Sequence, residues 1–579
     1  MGIPSYFAHV LKKYPHVIKR LTELQRIHNL YLDSNGMIYD VVRQMQYTPE
    51  NKEAFEAELL QRICDSIDAC IAILQPTDRV FIAFDGVAPV AKLNQQRERR
   101  YKSWYLGEME SQRRQDKGKG KGKGKEAPKP VWNTSAITPG TKFMNALHEK
   151  LVQHYGAGTS QTTQTTQSTK PEIVLSSSNE PGEGEHKIFE YIREHAAEHA
   201  DKTTVIYGLD ADLIMLCMSH LHISRGIYLY RETPEFVKSI NVTLDAKERY
   251  YMDIPEFATG IQVSACPVKG VWGAPVAPQE GVWGAVSAPQ LDYIFMCFML
   301  GNDFMPHFPA LNIRTTGIAT LMDAYRATFG PGETIIQHTN ATSTASATSS
   351  WTIHWPNYRR FVAHLAAQEL TLIRKEHTTR DRQARHMRDS DTEDDVMHDV
   401  LMLPMTQRDV ERQINPFEPG WERRYYAALC DIHVADVDDK AIASLCRNYL
   451  EGMEWTFRYY TSGCVDWKWT YANHYPPLLA DLVKHIPETQ TNAFAFLRVK
   501  PKEPIRDLVQ LCYVLPRASH ALLPPAAERA LMQSKLRTKY TDDGSPNFKW
   551  AYCKYFWECH TDLPELDLEE LAQIVSKIK

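Results

Sequence analysis

Short apolar runs alternate with helical stretches between Asn29 and Glu232. Runs such as NLYLD, VFIAFD and VIYGLD are apolar almost throughout, as strands are when helices cover both faces of a sheet. Strands that alternate with helices are typical of parallel α/β units. We therefore predict an α/β fold with a mostly parallel central sheet flanked by helices. The predicted strands are Asn29–Asp33, Arg79–Asp85, Glu172–Ser176, Thr203–Asp210 and Gly226–Arg231.

Three interruptions of this pattern stand out by their composition. One reads KGKGKGKGK, one is rich in Thr, Gln and Ser, and one contains the tandem copies GVWGAPVAPQ and GVWGAVSAPQ. Two copies are too few for a solenoid, so we interpret the repeat as a local duplication in a surface insertion. The lysine run is interpreted as a solvated linker, with a weak nuclear signal or an RNA-tethering arm as alternatives. The predicted insertions lie near residues 117–130, 156–170 and 262–290.

A Ser/Thr/Ala stretch from Thr339 to Ser350 marks the predicted domain boundary. Before it we place the α/β domain, residues 1–338. After it, in residues 351–579, aromatic side chains crowd together from Pro416 onward. Aromatic density of this kind is typical of a core that packs against another domain more often than of base stacking. We predict a mainly helical, aromatic-rich second domain there.

The charge balance excludes a generally basic, nucleic-acid-coating protein. The chain has 66 Lys and Arg against 71 Asp and Glu, so any polyanion must be held by a local patch. No apolar run approaches the roughly 18 residues that a membrane-spanning helix needs, and the first residues lack the apolar core of a secretory signal. The eleven cysteines form no C-x-x-C pair. We expect reduced thiols, no membrane partner and an intracellular location, cytoplasmic rather than nuclear.

Carboxylates stand at the ends of the predicted strands or in the turns after them. Because strand carboxyl ends meet at one edge of a parallel sheet, these acids should converge on one crevice. A helix N-cap explains any single one of them as well, but it does not explain the pairs Glu183/Glu185 and Asp210/Asp212. The candidate catalytic and metal-binding acids are Asp33, Asp85, Glu183, Glu185, Asp210, Asp212 and Asp303.

So many carboxylates in one cleft repel one another unless divalent cations neutralise them. Oxygen ligands alone select Mg²⁺ or Mn²⁺ over zinc. Two such ions are the usual machinery for hydrolysing phosphodiesters, so we predict two-metal catalysis with two Mg²⁺ (or Mn²⁺) ions as cofactors.

A basic segment, AKLNQQRERRYK, follows Asp85. Its residues Lys92, Gln96, Arg99 and Arg100 recur at three- and four-residue spacing and therefore share one face of a helix. Guanidinium groups bind phosphate oxygens in pairs and lysine adds a compact charge. We predict a phosphate-binding pocket, with a plain basic surface helix as the alternative.

Eight blocks of the sequence closely resemble the Xrn-type 5′-to-3′ exoribonuclease family, in the family's order from Met1 to about Pro525. They are MGIPSYF, NLYLDSNG, FIAFDGVAPVAKLNQQRERR, ITPGTKFM, PGEGEHKI, YGLDADLIML, GNDFMPHFPAL and YLEGMEWTFRYYTSGCVDWKWTYANHYPP. The resemblance implies a catalytic domain like that of PIN and flap nucleases. It also implies that the seven acids bind metal and that the Lys92 helix face holds a 5′-terminal monophosphate.

The expected activity is processive 5′-to-3′ hydrolysis of single-stranded RNA with a 5′-monophosphate, which releases nucleoside 5′-monophosphates in RNA decay. Tyr39 stands where the family has a His that stacks on the first base, and Trp467 or Trp469 should stack from the other side. We expect a monomer, and no protein partner is predicted. The alternatives are a structure-specific 5′ flap endonuclease for DNA or RNA and an inactive RNA-binding scaffold.

Overall fold

The computed structural model describes most of the chain. The described residues are 5–118, 131–156, 171–231, 244–245, 248–265, 288–339, 350–389, 396–433, 439–490, 495–497, 503–540 and 547–578. The central parts of the three predicted insertions and of the predicted domain boundary lie outside these ranges, and so do the lysine run after Gly118 and both GVWGA copies.

A seven-stranded sheet forms the centre of the N-terminal part. Its order is β1-β7-β6-β5-β2-β3-β4, and the five strands from β6 to β4 are parallel. The mostly parallel sheet is thus confirmed, and all five predicted strands are present. The sequence did not reveal β1 and β7, which pair antiparallel at one edge. The strands are β1 (Ile18–Arg20), β2 (Asn29–Asp33), β3 (Arg79–Ala83), β4 (Glu172–Ser176), β5 (Thr203–Tyr207), β6 (Gly226–Tyr230) and β7 (Tyr250–Asp253).

Helices cover both faces of this sheet, which explains why its strands are apolar throughout. Leu30 and Leu32 face one apolar core, whereas Tyr31 between them faces the other. The helices of this part are α1 (Tyr6–Lys13), α2 (Asn35–Gln44), α3 (Lys52–Leu74), α4 (Val90–Gly118), α5 (Lys142–Tyr155), α6 (Gly184–Glu194), α7 (Ala196–His199), α8 (Asp212–Ser219), α9 (Ile254–Ala265), α10 (Ala288–Cys297) and α11 (Gly317–Thr328).

The C-terminal part is mainly helical, as predicted. Its helices are α12 (Trp355–Ala366), α13 (Glu369–Asp389), α14 (Val396–Leu401), α15 (Leu403–Thr406), α16 (Asp409–Ile414), α17 (Trp421–Cys430), α18 (Asp439–Thr461), α19 (Leu479–His485), α20 (Asp507–Val514), α21 (Pro525–Gln533) and α22 (Leu568–Ser576). A short antiparallel pair, β10 (Asn547–Lys549) and β11 (His560–Asp562), lies between the last two helices. Among the described residues, no helix is both long and apolar enough to cross a bilayer.

The two parts share one apolar core. Phe295 of α10 contacts Phe457 of α18 edge to face, with ring centroids 5.8 Å apart. Two strands, β8 (Ile336–Thr339) and β9 (Ser350–Ile353), pair antiparallel from either side of the predicted boundary. This core fixes α18 against the sheet and therefore positions residues of the second part at the site. The division at residues 339–350 stays a prediction.

Candidate active site

The parallel register brings the strand ends to one edge, and the acids lie there. Asp33 is the last residue of β2 and stands opposite Ala83 at the end of β3. Carboxylate oxygens of Asp33, Glu185 and Asp210 all lie within 4.8 Å of one another. Asp85 and Glu183 are close enough to influence the Asp33 carboxyl electrostatically, and Asp212 and Asp303 influence each other in the same way. The structure thus brings all seven predicted acids into one cluster.

Gly184, at the start of α6, allows this close approach. A Cβ atom placed on it would lie 2.6 Å from Oδ1 of Asp33, which no ordinary contact permits. The backbone N–H of Gly184 donates to Oδ1 of Asp85 at 2.7 Å. The amide of Asn35 donates to the other Asp85 oxygen, and the Asp85 N–H donates back to Asn35 Oδ1 at 3.2 Å. Asp85 is therefore held in place on both oxygens.

The acid cluster carries negative charge that the protein compensates only in part. Burial raises the pKa of Asp33 well above its usual value, and the carboxylates of Asp85 and Asp210 add to the effect. Burial and Asp303 raise the pKa of Asp212 to about 7. Among the described residues, Oε2 of Glu185 is buried without a hydrogen-bond partner. Such unmet oxygens suit divalent cations, so the residues present fit Mg²⁺ or Mn²⁺.

Lys92 lies inside the acid cluster. Its ammonium is 2.7 Å from Oε2 of Glu183 and also contacts Asp303. Burial opposes the charge of Asp303, but Lys92 outweighs burial and holds the pKa of that carboxyl well below its usual range. Gln95 donates to the other Asp303 oxygen at 3.0 Å. The lysine therefore neutralises one side of the cluster. Its ion pairs with Glu183 and Asp303 were not predicted from the sequence.

Two tyrosines of α18, which no sequence pattern singled out, also contact the acids. The Tyr459 hydroxyl donates to Oε1 of Glu183 at 3.1 Å, and Tyr460 is hydrogen-bonded to Asp212. The ring of His186 stacks on Tyr459 with centroids 3.6 Å apart. The two adjacent tyrosines of the WTFRYY block could have indicated these contacts, but the many other aromatic residues in this segment hide them.

Gln96, Arg99 and Arg100 continue the Lys92 face along α4. Among the described residues, Nε of Arg100 and Oε1 of Gln96 are buried without hydrogen-bond partners. The pKa of Arg100 is lowered to about 10 by burial and by the charge of Arg99, against a raising effect of Tyr39. In the part of the chain that the structure describes, neither Arg99 nor Arg100 has an acid as a close countercharge, although Arg99 is near enough to Asp303 to help lower the pKa of that carboxyl. A bound anion such as a phosphate would supply a close countercharge.

The three candidate stacking residues occupy different surroundings. Tyr39, on α2, is half-buried and lies near Arg100. Trp469 is buried and stacks on Trp455 with centroids 5.1 Å apart, so its ring belongs to the core. Trp467 is half-buried, and its carbonyl accepts a hydrogen bond from the Val90 N–H at 2.9 Å. Of the two tryptophans, Trp467 is therefore the one whose ring remains partly open beside α4.

Comparison with known proteins agrees with this arrangement. Residues 1–233 match the family described as the XRN 5′-3′ exonuclease N-terminus. Residues 291–407 and 390–579 match the family described as the Xrn1 helical domain. The chain belongs to the Xrn-type 5′-3′ exonuclease family. The roles of the individual site residues stay predictions.

Relatives in this family match the chain over nearly its full length. The 5′-3′ exoribonuclease 2 of Gallus gallus is 25% identical over an alignment 698 residues long, which covers 100% of this chain and 70% of that protein. The enzyme of the same name from Saccharomyces cerevisiae is 24% identical over 99% of this chain and 75% of its own length. The 5′-3′ exoribonuclease 1 of Schizosaccharomyces pombe is 24% identical over 92% of this chain and 45% of its own length.

Exchanging each tryptophan for alanine separates their roles. We expect Trp469→Ala to lower the free energy of unfolding by about 3–5 kcal/mol, because it leaves a cavity next to Trp455. Trp467→Ala should change stability much less but weaken RNA binding by about 1–3 kcal/mol through lost base stacking. Denaturant unfolding and RNA-binding titrations of both variants measure the two effects. Unchanged RNA affinity in Trp467→Ala would contradict the stacking role.

Proposed function

We propose that this 5′-3′ exoribonuclease hydrolyses single-stranded RNA from a 5′-monophosphate end and releases nucleoside 5′-monophosphates. Its relatives include 5′-3′ exoribonucleases 1 and 2, which supports this reaction. The preference for a 5′-monophosphate end is supported by the residues along one face of α4. This face begins with Lys92 inside the acid cluster and ends with Arg99 and Arg100, which form no ion pair with an acid among the described residues. Arg99 and Arg100 follow Lys92 by seven and eight residues, which corresponds to about 10–12 Å along the helix axis.

The side chains of the site would have two separate roles, phosphate binding and positioning of the acids. Gln96, Arg99 and Arg100 would grip the terminal phosphate and thereby place the first phosphodiester bond at the acids. Lys92 holds Glu183 and Asp303, and the tyrosines of α18 orient Glu183 and Asp212. This arrangement needs no histidine or lysine as general base.

The acids would hold two divalent cations, Mg²⁺ or Mn²⁺. Asp33, Glu185 and Asp210 form one group whose oxygens are close enough to share an ion, and Asp85, Glu183, Asp212 and Asp303 complete the set. When bound, the ions supply an activated water molecule and stabilise the departing 3′ oxygen. Gly184 keeps the start of α6 close enough for these oxygens to converge.

A role in RNA decay, action as a monomer and an intracellular, mainly cytoplasmic location complete the proposal. Complete conversion to mononucleotides leaves no shortened RNA product, so the proposed activity suits RNA decay better than RNA processing. These three statements rest on the predicted activity and on the sequence.

Stacking by Tyr39 is testable on the same substrates. Its position on α2, near Arg100, places the ring beside the predicted phosphate pocket. Tyr39→Ala should cost about 1–3 kcal/mol of base stacking and shorten processive runs on structured RNA, whereas Tyr39→His should be nearly silent. Product lengths from single-hit digestions measure the effect. If Tyr39→Ala advances through structured RNA as far as the parent, the ring serves only packing.

Digestion of matched RNAs tests the proposal as a whole. Substrates with a 5′-monophosphate, a 5′-triphosphate or a 5′-hydroxyl, and a circular RNA, are incubated with Mg²⁺ and the products identified. We expect mononucleotides, mainly from the 5′-monophosphate substrate. A flap endonuclease would release oligonucleotides and pass over the 5′ end, and a binding scaffold would release nothing. Cleavage of the circle, or equal digestion of all three ends, would refute the proposed function.

A further inference from the structure

A second group of potential metal ligands lies on the side of α4 away from Arg99 and Arg100. Glu98 of α4, His474 and His560 of β11 each offer one ligand atom, and these atoms lie within 4.8 Å of one another. None of the three belongs to the acid cluster. The three residues come from segments far apart in the sequence, so only the folded chain assembles them.

We propose that Glu98, His474 and His560 form a zinc site that joins α4 to the β10-β11 pair. Two imidazole nitrogens and one carboxylate oxygen are a ligand set that suits Zn²⁺ rather than Mg²⁺. Nδ1 of His474 is 3.8 Å from Oε1 of Glu98. That separation is too long for a hydrogen bond, but it is close to the roughly 3.3–3.6 Å between two ligands of a tetrahedral zinc ion.

The other nitrogen of His474 supports this interpretation. Nε2 lies 3.1 Å from Oδ1 of Asp562, which orients the ring with Nδ1 toward Glu98. A metal-binding histidine typically has its second nitrogen held by a carboxylate in this way. Asp562 is itself held by Asn547, whose amide donates to Oδ2 at 3.1 Å. The rings of His474 and His560 are stacked, with centroids 5.1 Å apart.

The surroundings of these three residues make them accessible to an ion and hold Glu98 in place. The group lines a cavity of about 1180 Å³ that also borders Asp303 and Arg314, so an ion can reach it. The Thr561 N–H lies 3.4 Å from the second oxygen of Glu98. The nearby Lys102 ammonium donates to the carbonyls of Trp557 and Cys559, at 3.2 and 2.6 Å, and lies 3.9 Å from Oε2 of Glu98. Burial raises the pKa of the Glu98 carboxyl, but the charge of Lys102 favours its ionised form, and Oε1 remains the Glu98 oxygen nearest to His474.

Such an ion would fix the helix that carries the predicted phosphate pocket. Glu98 directly precedes Arg99, and β11 contacts α4. A zinc ion at Glu98 would hold that turn of the helix against residues from the end of the chain. With three protein ligands, a water molecule would fill the fourth position of the tetrahedron. We assign the site a structural role because it joins α4 to β11, separate from the acids proposed to hold the catalytic ions.

Zinc binding by the whole chain tests the proposal. The protein is stripped with a chelator and then titrated with Zn²⁺ or Co²⁺ in a large excess of Mg²⁺, which occupies the all-carboxylate site. We expect one tightly bound zinc per chain and the strong visible absorption of tetrahedral Co²⁺. Asp562→Asn should weaken the affinity by about 10–100-fold, since it removes the partner of a ligand.

Matched variants identify the ligands. The double variant His474→Ala/His560→Ala should lose the ion, and Asp212→Asn should keep it. The double variant His16→Ala/His364→Ala, which removes two histidines elsewhere in the chain, should also keep it. X-ray absorption of the zinc-loaded parent should show two imidazole ligands, and this measurement requires no variant to fold. The proposal is overturned if the stripped parent takes up no zinc in excess Mg²⁺, or if the His474/His560 variant retains it; His474 would then only bridge two carboxylates.

Discussion

Asp212→Asn should reduce RNA hydrolysis by about 100-fold or more while the chain remains folded. Loss of a residue that only supports a metal ligand typically costs 10–100-fold, and loss of a ligand should cost at least as much. Asp212 is buried at the start of α8, and burial together with Asp303 raises its pKa to about 7. Asparagine has nearly the same shape but cannot carry the charge, so a cation should be lost and the packing kept.

Melting temperatures distinguish a lost ion from a damaged fold. In chelator, Asp212→Asn should melt at or above the parent's temperature, because one negative charge leaves a cluster of mutually repelling acids. Added Mg²⁺ should raise the melting temperature of the parent more than that of the variant, since ligands that bind only the folded state stabilise it. Asp201→Asn, at an exposed aspartate just before β5, is the matched control and should behave as the parent. Retention of more than a few per cent of activity with an unchanged Mg²⁺ requirement would refute the assignment of Asp212.

The strands and the convergence of the acids could be predicted because both follow from local pattern. Strands covered on both faces are apolar in every position, and parallel strands end at a common edge, so Asp33 and Asp210 had to approach each other. The antiparallel strands β1 and β7 escaped prediction because runs of three or four residues carry no distinct periodicity.

The partners of the acids could not be predicted, since they depend on contacts between distant segments. Tyr459 and Glu183 are 276 residues apart, and no spacing rule links them. Lys92 was selected for a phosphate because of its helix face, but the ion pairs with Glu183 and Asp303 arise only where α4 meets the sheet edge. Trp467 and Trp469 are equally aromatic in sequence, and only their packing separates them.

Replacing both Arg99 and Arg100 by alanine should remove the preference for a 5′-monophosphate. The phosphate of such an end accepts charge-assisted hydrogen bonds, worth about 1.5–3 kcal/mol each, that a 5′-hydroxyl end does not make. Two lost bonds correspond to a loss on the order of 10²–10⁴-fold on monophosphate RNA. Activity on hydroxyl RNA should scarcely change. The measurement is kcat/KM on both RNAs, for parent and variant.

Arg97→Met on the same helix is the matched control. The Arg97 guanidinium lies on another face of α4, where it donates to the Pro564 carbonyl at 2.8 Å and lies over the Tyr513 ring. Methionine removes the charge but keeps a long apolar side chain, so the ratio of activities on the two RNAs should stay at the parent's value. A general loss of positive charge would lower that ratio in both variants, whereas a specific pocket lowers it only in Arg99→Ala/Arg100→Ala. If that double variant keeps the parent's preference, these arginines do not recognise the 5′ end, and the uncompensated charge of Arg100 must serve another anion.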